Sequence, residues 1–213
     1  PRRRQPSFLA GTYLLPEEFH LPDLTTHTLA RTHAPFYPLF DNALFEQYLI
    51  ALEVPEDQRF SQMSLGQKKK AAISLALATR TPLLLMDEPT NGLDIASRAT
   101  FKRLLSEEVQ RERLVIISTH QAHDLETLMD QIWFMDGGRI VLSAGMSALA
   151  HTLEVGTSVS ASDVPNDRLI YQEPLGGQFV WLARRHPVNA PSSPPDPVPM
   201  ELLYKALSHD KAG

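Results

Sequence analysis

Apolar and polar positions along this chain change period repeatedly, and each change marks an element. Leu83-Leu84-Leu85-Met86 is an unbroken apolar run that meets Asp87-Glu88, after which Pro89 and Gly92 stop regular structure. A run of that length predicts a buried strand presenting two acids at its C-terminal tip. Leu114-Val115-Ile116-Ile117 predicts a second such strand, ending in Ser118-Thr119-His120. Between them Asp94 is placed to cap a helix from Ile95 to about Gln110. Upstream, Ser64 to Ala78 reads as a helix, with Ser64 and Gln67 at the spacing of a capping box. Phe40, Leu44, Phe45, Leu49 and Leu52 carry the helical period over Leu39 to Leu52. Phe8 to Leu15 is apolar and β-leaning, and Pro16-Glu17-Glu18 ends it. Prolines 22, 35, 38 and 55 cut the segment from Phe19 to Arg59 into short helices and turns, a helical subdomain over about residues 18–62.

Beyond His120 the pattern predicts a short helix over Ala122 to Met129 and a strand over Ile132 to Met135. Asp136-Gly137-Gly138 then turns the chain into a strand over Arg139 to Leu142. Arg168 to Tyr171 and Gln178 to Leu182 flank Pro174-Leu175-Gly176-Gly177, a second hairpin. His186 to Pro199 is proline-rich and reads as an extended linker before a helix over Met200 to Leu207. Alternating helices and apolar strands predict an α/β fold, a mostly parallel sheet flanked on both faces by helices. The expected organisation is one domain over residues 1–155 and a C-terminal appendage over 156–213 with no catalytic constellation of its own.

Composition narrows the field. With 43% hydrophobic residues in 213, the chain can bury a real core. The absence of cysteine excludes disulfides and thiolate metal sites. No apolar run approaches the roughly 18–20 residues that span a bilayer. The formal charge of -5 gives no general argument for a nucleic-acid partner, and none is expected. Two basic clusters, Arg2-Arg3-Arg4 and Lys68-Lys69-Lys70, are expected to face solvent. The opening at Pro1, without a leader-like segment, sets the expectation of a processed, trimmed or incomplete chain.

The two polar strand tips carry the candidate chemistry. Asp87, fixed by the strand behind it, suits a direct or outer-shell contact to Mg²⁺ on bound phosphates. Glu88 is placed to orient or deprotonate an attacking water. An adjacent strand would bring His120 into the same crevice, in reach of a terminal phosphate or of that water. At the start of the Ser64 helix, Gly66 leaves its own amide and that of Leu65 open to an anion, which the helix dipole favours. A glycine there costs up to about 1 kcal/mol against alanine, and the cap alone does not account for it. No G-x-x-x-x-G-K-[ST] phosphate loop occurs anywhere in the sequence.

Taken together these residues resemble the ATP-binding subunit of ABC transporters. Met63-Ser64-Leu65-Gly66-Gln67 looks like the family signature L-S-G-G-Q, with Met for Leu and Leu65 for the first Gly. Leu83 to Glu88 looks like the Walker B strand with its catalytic glutamate, Gly92-Leu93-Asp94 is similar to the D-loop, and His120 matches the switch histidine. The spacings, 24 residues from Met63 to Asp87 and 32 from Glu88 to His120, are also family-like. Each piece is weak alone; the ordered set, over about residues 8–155, is strong. The tail resembles, less specifically, that of bacterial ABC-2-type exporter ATPases. Two departures stand out. Glu17, in Tyr13-Leu14-Leu15-Pro16-Glu17, sits where the family has its Q-loop glutamine, and it cannot donate an amide hydrogen bond. The opening strands and the Walker A loop are also missing upstream of Pro1.

The resemblance implies a P-loop NTPase fold and ATP with Mg²⁺ as cofactors. Asp87 and Glu17 would face the metal, and Glu88 and His120 would be catalytic. Ser64, Gly66, Gln67 and Asp94 would contact nucleotide across a head-to-tail pair with a second ATPase subunit, a homo- or heterodimer. Transmembrane permease subunits would be the other partners, and the protein would lie peripherally on the cytoplasmic side of the cell membrane. The complete protein would power transport, with export expected, while this polypeptide alone would be a poor ATPase. The alternative is a non-catalytic ABC-like domain kept for docking to a partner.

Overall fold

The computed structural model describes residues 5–109, 113–160, 163–186 and 198–209. The chain divides into two units, Pro1–His120 and Gln121–Gly213, taken here in turn. In the first, α1 (Pro6–Ala10) leads into β1 (Thr12–Leu15), followed by α2 (Thr26–His33), α3 (Asn42–Ala51) and α4 (Leu65–Ala78). Then come β2 (Leu83–Asp87), α5 (Ile95–Val109) and β3 (Leu114–Ser118). The strands form one parallel sheet in the order β1-β2-β3, with Leu15 beside Met86 and Asp87 beside Ser118. A mixed α/β architecture with a parallel sheet and flanking helices is therefore present.

Burial alternates along β2. Leu84 and Met86 are buried, with Leu15, on one face. On the other face, shared by Leu14, Leu85 and Ile116, no residue is buried, and Leu14 and Leu114 are 58% and 60% exposed. The expected burial on both faces is met on one, because among the described residues no layer closes over the other.

Local signals explain the helices. Asp41 caps α3 by accepting from the Leu44 N–H at 3.0 Å, and its own N–H donates to the Ala78 carbonyl at 2.9 Å, tying the start of α3 to the end of α4. Thr25 caps α2 through the Thr28 N–H, and a β-bridge from Thr25 to Arg59 closes the helical subdomain. Its core is Phe45, Leu49, Leu52 and Phe60, with Ile73 and Leu77 of α4 also fully buried.

One side chain joins four elements of this unit. Arg113, buried just before β3, donates through Nε to the Thr81 carbonyl at 2.8 Å. Through Nη1 it donates to the Leu77 carbonyl at 3.0 Å and to Glu108 Oε2 at 3.1 Å. Nη2 reaches the Ala76 carbonyl and Thr79 Oγ1, each at 3.1 Å, and Thr81 Oγ1 at 3.2 Å. Tyr48 of α3 donates its hydroxyl to the other Glu108 oxygen at 2.7 Å. The guanidinium thus satisfies the orphan carbonyls at the end of α4 with charge of the sign the helix dipole favours.

In the second unit, 3₁₀ turns at Ala122–Asp124 and Glu126–Leu128 precede β4 (Gln131–Asp136), β5 (Arg139–Gly145), α6 (Met146–Thr152) and β6 (Leu153–Ser158). After these come β7 (Leu169–Leu175), β8 (Gln178–Arg184) and α7 (Met200–His209). All its strand pairs are antiparallel, β4 with β5 and the sheet β6-β8-β7. Gly137 and Gly138 have φ of 52° and 75°, and Gly176 and Gly177 have 59° and 81°, so both expected hairpins turn on paired left-handed glycines. Pro174 is tolerated within β7 because that strand is an edge. Leu182, Leu149, Ile132, Met200, Leu203 and Ala206 make the core that docks α7.

Some expectations are corrected. Phe8 to Ala10 is helical, since Pro6 favours a first helical turn and Gly11 caps it. Ala122 to Met129 forms two 3₁₀ turns in place of an α-helix: no side-chain cap serves Gln121, and so short a segment does not repay helix nucleation. α6 and β6 were not anticipated. Gln110 and residues 187–197 lie outside the described residues.

Replacing Arg113 by methionine should destabilise the chain by about 3–5 kcal/mol, because Glu108 and two helix-end carbonyls lose their partner in the interior. Chemical denaturation measures this. Arg113→Lys should recover only part of the loss, since an ammonium cannot span the same acceptors.

Candidate functional site

The acids stand where β2 ends. Asp87 closes the strand, and Ser118 across the ladder donates its hydroxyl to Asp87 Oδ1. The next residue, Glu88, has φ of 43°, in the left-handed region that costs a side-chain-bearing residue about 1–2 kcal/mol. Its N–H donates to the Ser118 carbonyl at 2.9 Å, so the turn bends toward β3. The carboxylate then meets the residues after β3. Thr119 Oγ1 donates to Glu88 Oε2 at 3.1 Å, and the His120 N–H donates to Oε1 at 2.9 Å. The His120 ring contacts the same Oε1 through Nδ1 at 2.7 Å.

Two consequences follow. An ionised carboxylate only accepts, so Nδ1 carries the proton and Nε2 lies on the far side of a ring that is 64% exposed. A carboxylate also offers about four acceptor sites, of which three are taken in this contact set; the remaining one, on Oε2, can receive a water proton. The expected meeting of Glu88 and His120 at neighbouring strand ends is present as direct contact.

The second cluster is built on α4. Ser64 Oγ accepts from the Gln67 N–H at 3.2 Å, and Gln67 Oε1 accepts from the Ser64 N–H at 2.8 Å, completing the capping box. Both side chains are therefore engaged with the helix's own backbone. Gly66 now has its explanation. A Cβ there would lie 3.2 Å from the Gly92 carbonyl, so the first turn of α4 rests against the turn after Glu88. Gly92, at φ 79°, holds that carbonyl in a conformation suited to glycine. Asp94 caps α5 through the Ser97 N–H at 2.8 Å and lies 3.5 Å from Lys70 Nζ. The Ser97 hydrogen bonds hold its carboxyl below the usual aspartate pKa, with Lys70 adding to the effect.

Glu17, just after β1, accepts from Asn91 Nδ2 at 2.8 Å, and the Asn91 N–H bonds the Glu88 carbonyl at 3.2 Å. Glu17 and the acidic turn are thus linked through Asn91.

The expectation that Lys68-Lys69-Lys70 faces solvent is corrected at Lys69, which is 3% exposed. Its Nζ donates to the Glu17 carbonyl at 3.3 Å and lies 5.6 Å from the Phe19 ring centroid. Burial lowers the Lys69 pKa, while the carboxylates of Glu17, Asp87 and Glu88 act to raise it. No helical stripe marks Lys69, since α4 buries every residue from Ala71 to Ala78. Asn91, Ser118 and Thr119 also went unassigned, and only tertiary pairing reveals them.

Hard oxygen donors at an exposed strand tip, Asp87 foremost, fit Mg²⁺ chemistry. Exposed amides at the start of α4 fit an anion.

Comparison with known proteins finds similar sequences and a similar fold. A family model described as "AAA domain, putative AbiEii toxin, Type IV TA system" matches residues 38–123. The ABC transporter ATP-binding protein YtrB of Bacillus subtilis (strain 168) is 33% identical over 101 residues, 47% of this chain and 35% of that protein. The nickel import ATP-binding protein NikD of Pseudomonas putida is 44% identical over 81 residues, 38% of this chain and 32% of that protein. A solved ATP-binding subunit of an ABC transporter superposes with a TM-score of 0.61 at 23% identity, covering 70% of this chain and 64% of the other. That likeness bears on the fold alone. The chain spans about a third of the length of these two curated relatives. Its sequence and structural relatives are ABC-transporter ATP-binding subunits.

Because the Gly92 carbonyl leaves little room, Gly66→Ala should fail to gain the roughly 1 kcal/mol that helix propensity offers an exposed helix position. A thermal melt showing the full gain would remove the packing account of this glycine.

Proposed function

We propose that this chain is part of an ATP-hydrolysing subunit that powers an ABC transporter, with export as the direction. The observation that carries the reading is the Glu88–His120 contact of 2.7 Å beside Asp87, at the ends of two adjacent parallel strands. The family-like motif set and the named relatives support the ATP-binding transporter part of this reading; the export direction rests on the resemblance of the tail alone. In this reading residues 1–155 belong to the ATPase domain and 156–213 to an appendage, and the protein works peripherally on the cytoplasmic side of a membrane.

Asp87 and Glu17 would hold Mg²⁺, which when bound neutralises charge on the phosphates. Glu88 orients a water through its remaining acceptor site and draws its proton toward Oε2. Thr119 and the His120 backbone keep the carboxylate in place, and the imidazole presents Nε2 toward the incoming nucleotide. Ser64, Gly66 and Gln67 would contact nucleotide held by the partner, and the capping box holds the Leu65 and Gly66 amides toward an anion. Asp94 fixes the start of α5 next to that turn. Leu65 and Ile95, 76% and 88% exposed at the starts of α4 and α5, support a second ATPase subunit as partner on this side. The open face of the sheet supports a further layer, and a phosphate loop with its own strand and helix would supply it.

A docking domain without catalysis is the second reading, favoured by the absence of a G-x-x-x-x-G-K-[ST] loop in these residues.

Two measurements test the proposal. In the full-length protein Glu88→Gln should abolish steady ATP turnover while nucleotide binding persists; normal turnover would remove Glu88 from its role. For this polypeptide alone, calorimetry should detect no micromolar Mg-ATP affinity, and finding such affinity would show that the phosphates need no further loop.

A further inference from the structure

His27, Glu46 and Glu56 meet in a cluster that the proposed reaction does not use. They stand on elements other than those that carry Asp87, Glu88 and His120. His27 is in the first turn of α2, Glu46 is in α3, and Glu56 is in the segment leading from α3 toward Phe60. His27 Nδ1 lies 3.1 Å from Glu46 Oε1, and its Nε2 lies 3.8 Å from Glu56 Oε2. Among the described residues this is the one group of three His, Asp or Glu whose ligand atoms all lie within 4.8 Å of one another. Buried neighbours hold the backbone beneath each ligand. Thr26 is buried and donates its hydroxyl to the Glu56 carbonyl at 3.4 Å. Phe45, next to Glu46, is buried as well, and the Val54 N–H donates to the Leu49 carbonyl at 2.9 Å just before Glu56. Among the described residues neither glutamate pairs with a lysine or an arginine. The imidazole is their ionic partner, and the group keeps an excess of negative charge in either form of that ring.

We propose that His27, Glu46 and Glu56 form a binding site for a divalent transition ion of the Zn²⁺ class, separate from the ATPase reading and not resting on it. One imidazole nitrogen and one oxygen from each carboxylate make a three-ligand set, and water fills the fourth tetrahedral position. Ligand bonds of about 2.1 Å place such donors about 3.4 Å apart. The 3.1 Å between His27 Nδ1 and Glu46 Oε1 is already close to that spacing. Glu56 reaches the same ion by a turn of its side chain, which is half-exposed and free to make it. The imidazole decides the class of metal. Mg²⁺ prefers oxygen donors and keeps its own waters, whereas nitrogen with carboxylate suits Zn²⁺. A bound ion ties α2, α3 and the Glu56 segment together at one point, on the solvent side of the contacts made by Thr26 and Phe45. An open site of this kind exchanges its ion, so the stiffness of the helical subdomain follows the metal available to it.

Calorimetric titration of the full chain with Zn²⁺ near neutral pH, in a buffer that does not chelate, tests the site. The wild type should take up one Zn²⁺ more tightly than any other, and a large excess of Mg²⁺ should not displace it. His27→Gln and Glu46→Gln should each weaken that uptake by at least about tenfold, since even a group that only supports a metal ligand is worth about 10–100-fold. His123→Gln removes an exposed imidazole 3.2 Å from the single carboxylate of Asp124 and should leave the tight uptake unchanged. Melting gives a second readout. Zn²⁺ should raise the midpoint of the wild type and of His123→Gln by a few degrees, and should not raise that of Glu46→Gln. Undiminished uptake in His27→Gln, or an equal loss in His123→Gln, would leave the cluster a surface ion pair and overturn the proposal. Displacement of Zn²⁺ by Mg²⁺ would overturn it too. Should either variant fold poorly, Glu56→Gln is read against the same outcomes. No reading here involves turnover, so the role of Glu88 stands or falls separately.

Discussion

The first unit depends on a buried guanidinium. Arg113 binds the last carbonyls of α4, the segment entering β2, and Glu108 near the end of α5, all from the residue before β3. It acts where both strands begin, the end remote from the acids. Fixing that end sets the direction of α4 against β2, and direction decides what the far ends can touch. A helix locked at its C-terminus delivers its first turn to a defined place. Here that place is the Gly92 carbonyl, close enough that only a glycine at position 66 fits without adjustment.

A site at the opposite end can then carry strain. Glu88 adopts a left-handed φ of 43°, a cost of about 1–2 kcal/mol. Three hydrogen bonds to its carboxylate and one from its own N–H offset that cost. The strained turn is what swings the side chain from its own strand toward its neighbour. An extended residue at that point would follow the line of β2 and leave His120 without its partner. Parallel pairing supplies the other condition, because adjacent parallel strands end on the same side of the sheet.

Much of this was legible in the residues. The apolar runs before Asp87 and before Ser118 define two strands whose tips must be polar, and a helix between them makes parallel neighbours the simplest topology. The capping box at Ser64 and Gln67 and the cap at Asp94 were readable because capping is local. What escaped is what depends on distant partners. Nothing near Arg113 in the sequence says that its carbonyl acceptors lie more than thirty residues upstream. Lys69 was hidden by its neighbours, since three consecutive lysines look like a solvated face and only tertiary packing shows that one of them is buried. The left-handed φ at Glu88 had no signal, as glutamate is not a residue that favours it.

The start of α4 separates two roles that the motif alone merges. Ser64 and Gln67 each accept the other's backbone N–H, which shapes the helix end, while neither the Ser64 hydroxyl proton nor the Gln67 Nε2 donors enter these two bonds. Gly66 spends its missing Cβ on the Gly92 carbonyl. Leu65, standing where the resembled signature has glycine, is 76% exposed and makes no room of its own inside the unit. Its side chain crowds nothing within the fold, while its amide and that of Gly66 stay on the exposed first turn. A phosphate reaching those amides must approach from the solvent side of the unit. Asp94 lies 3.5 Å from Lys70 of α4, and the other acids follow the Glu17–Asn91–Glu88 chain. One small unit thus offers amides on one surface and carboxylates on another, the arrangement that the proposed head-to-tail pair would use.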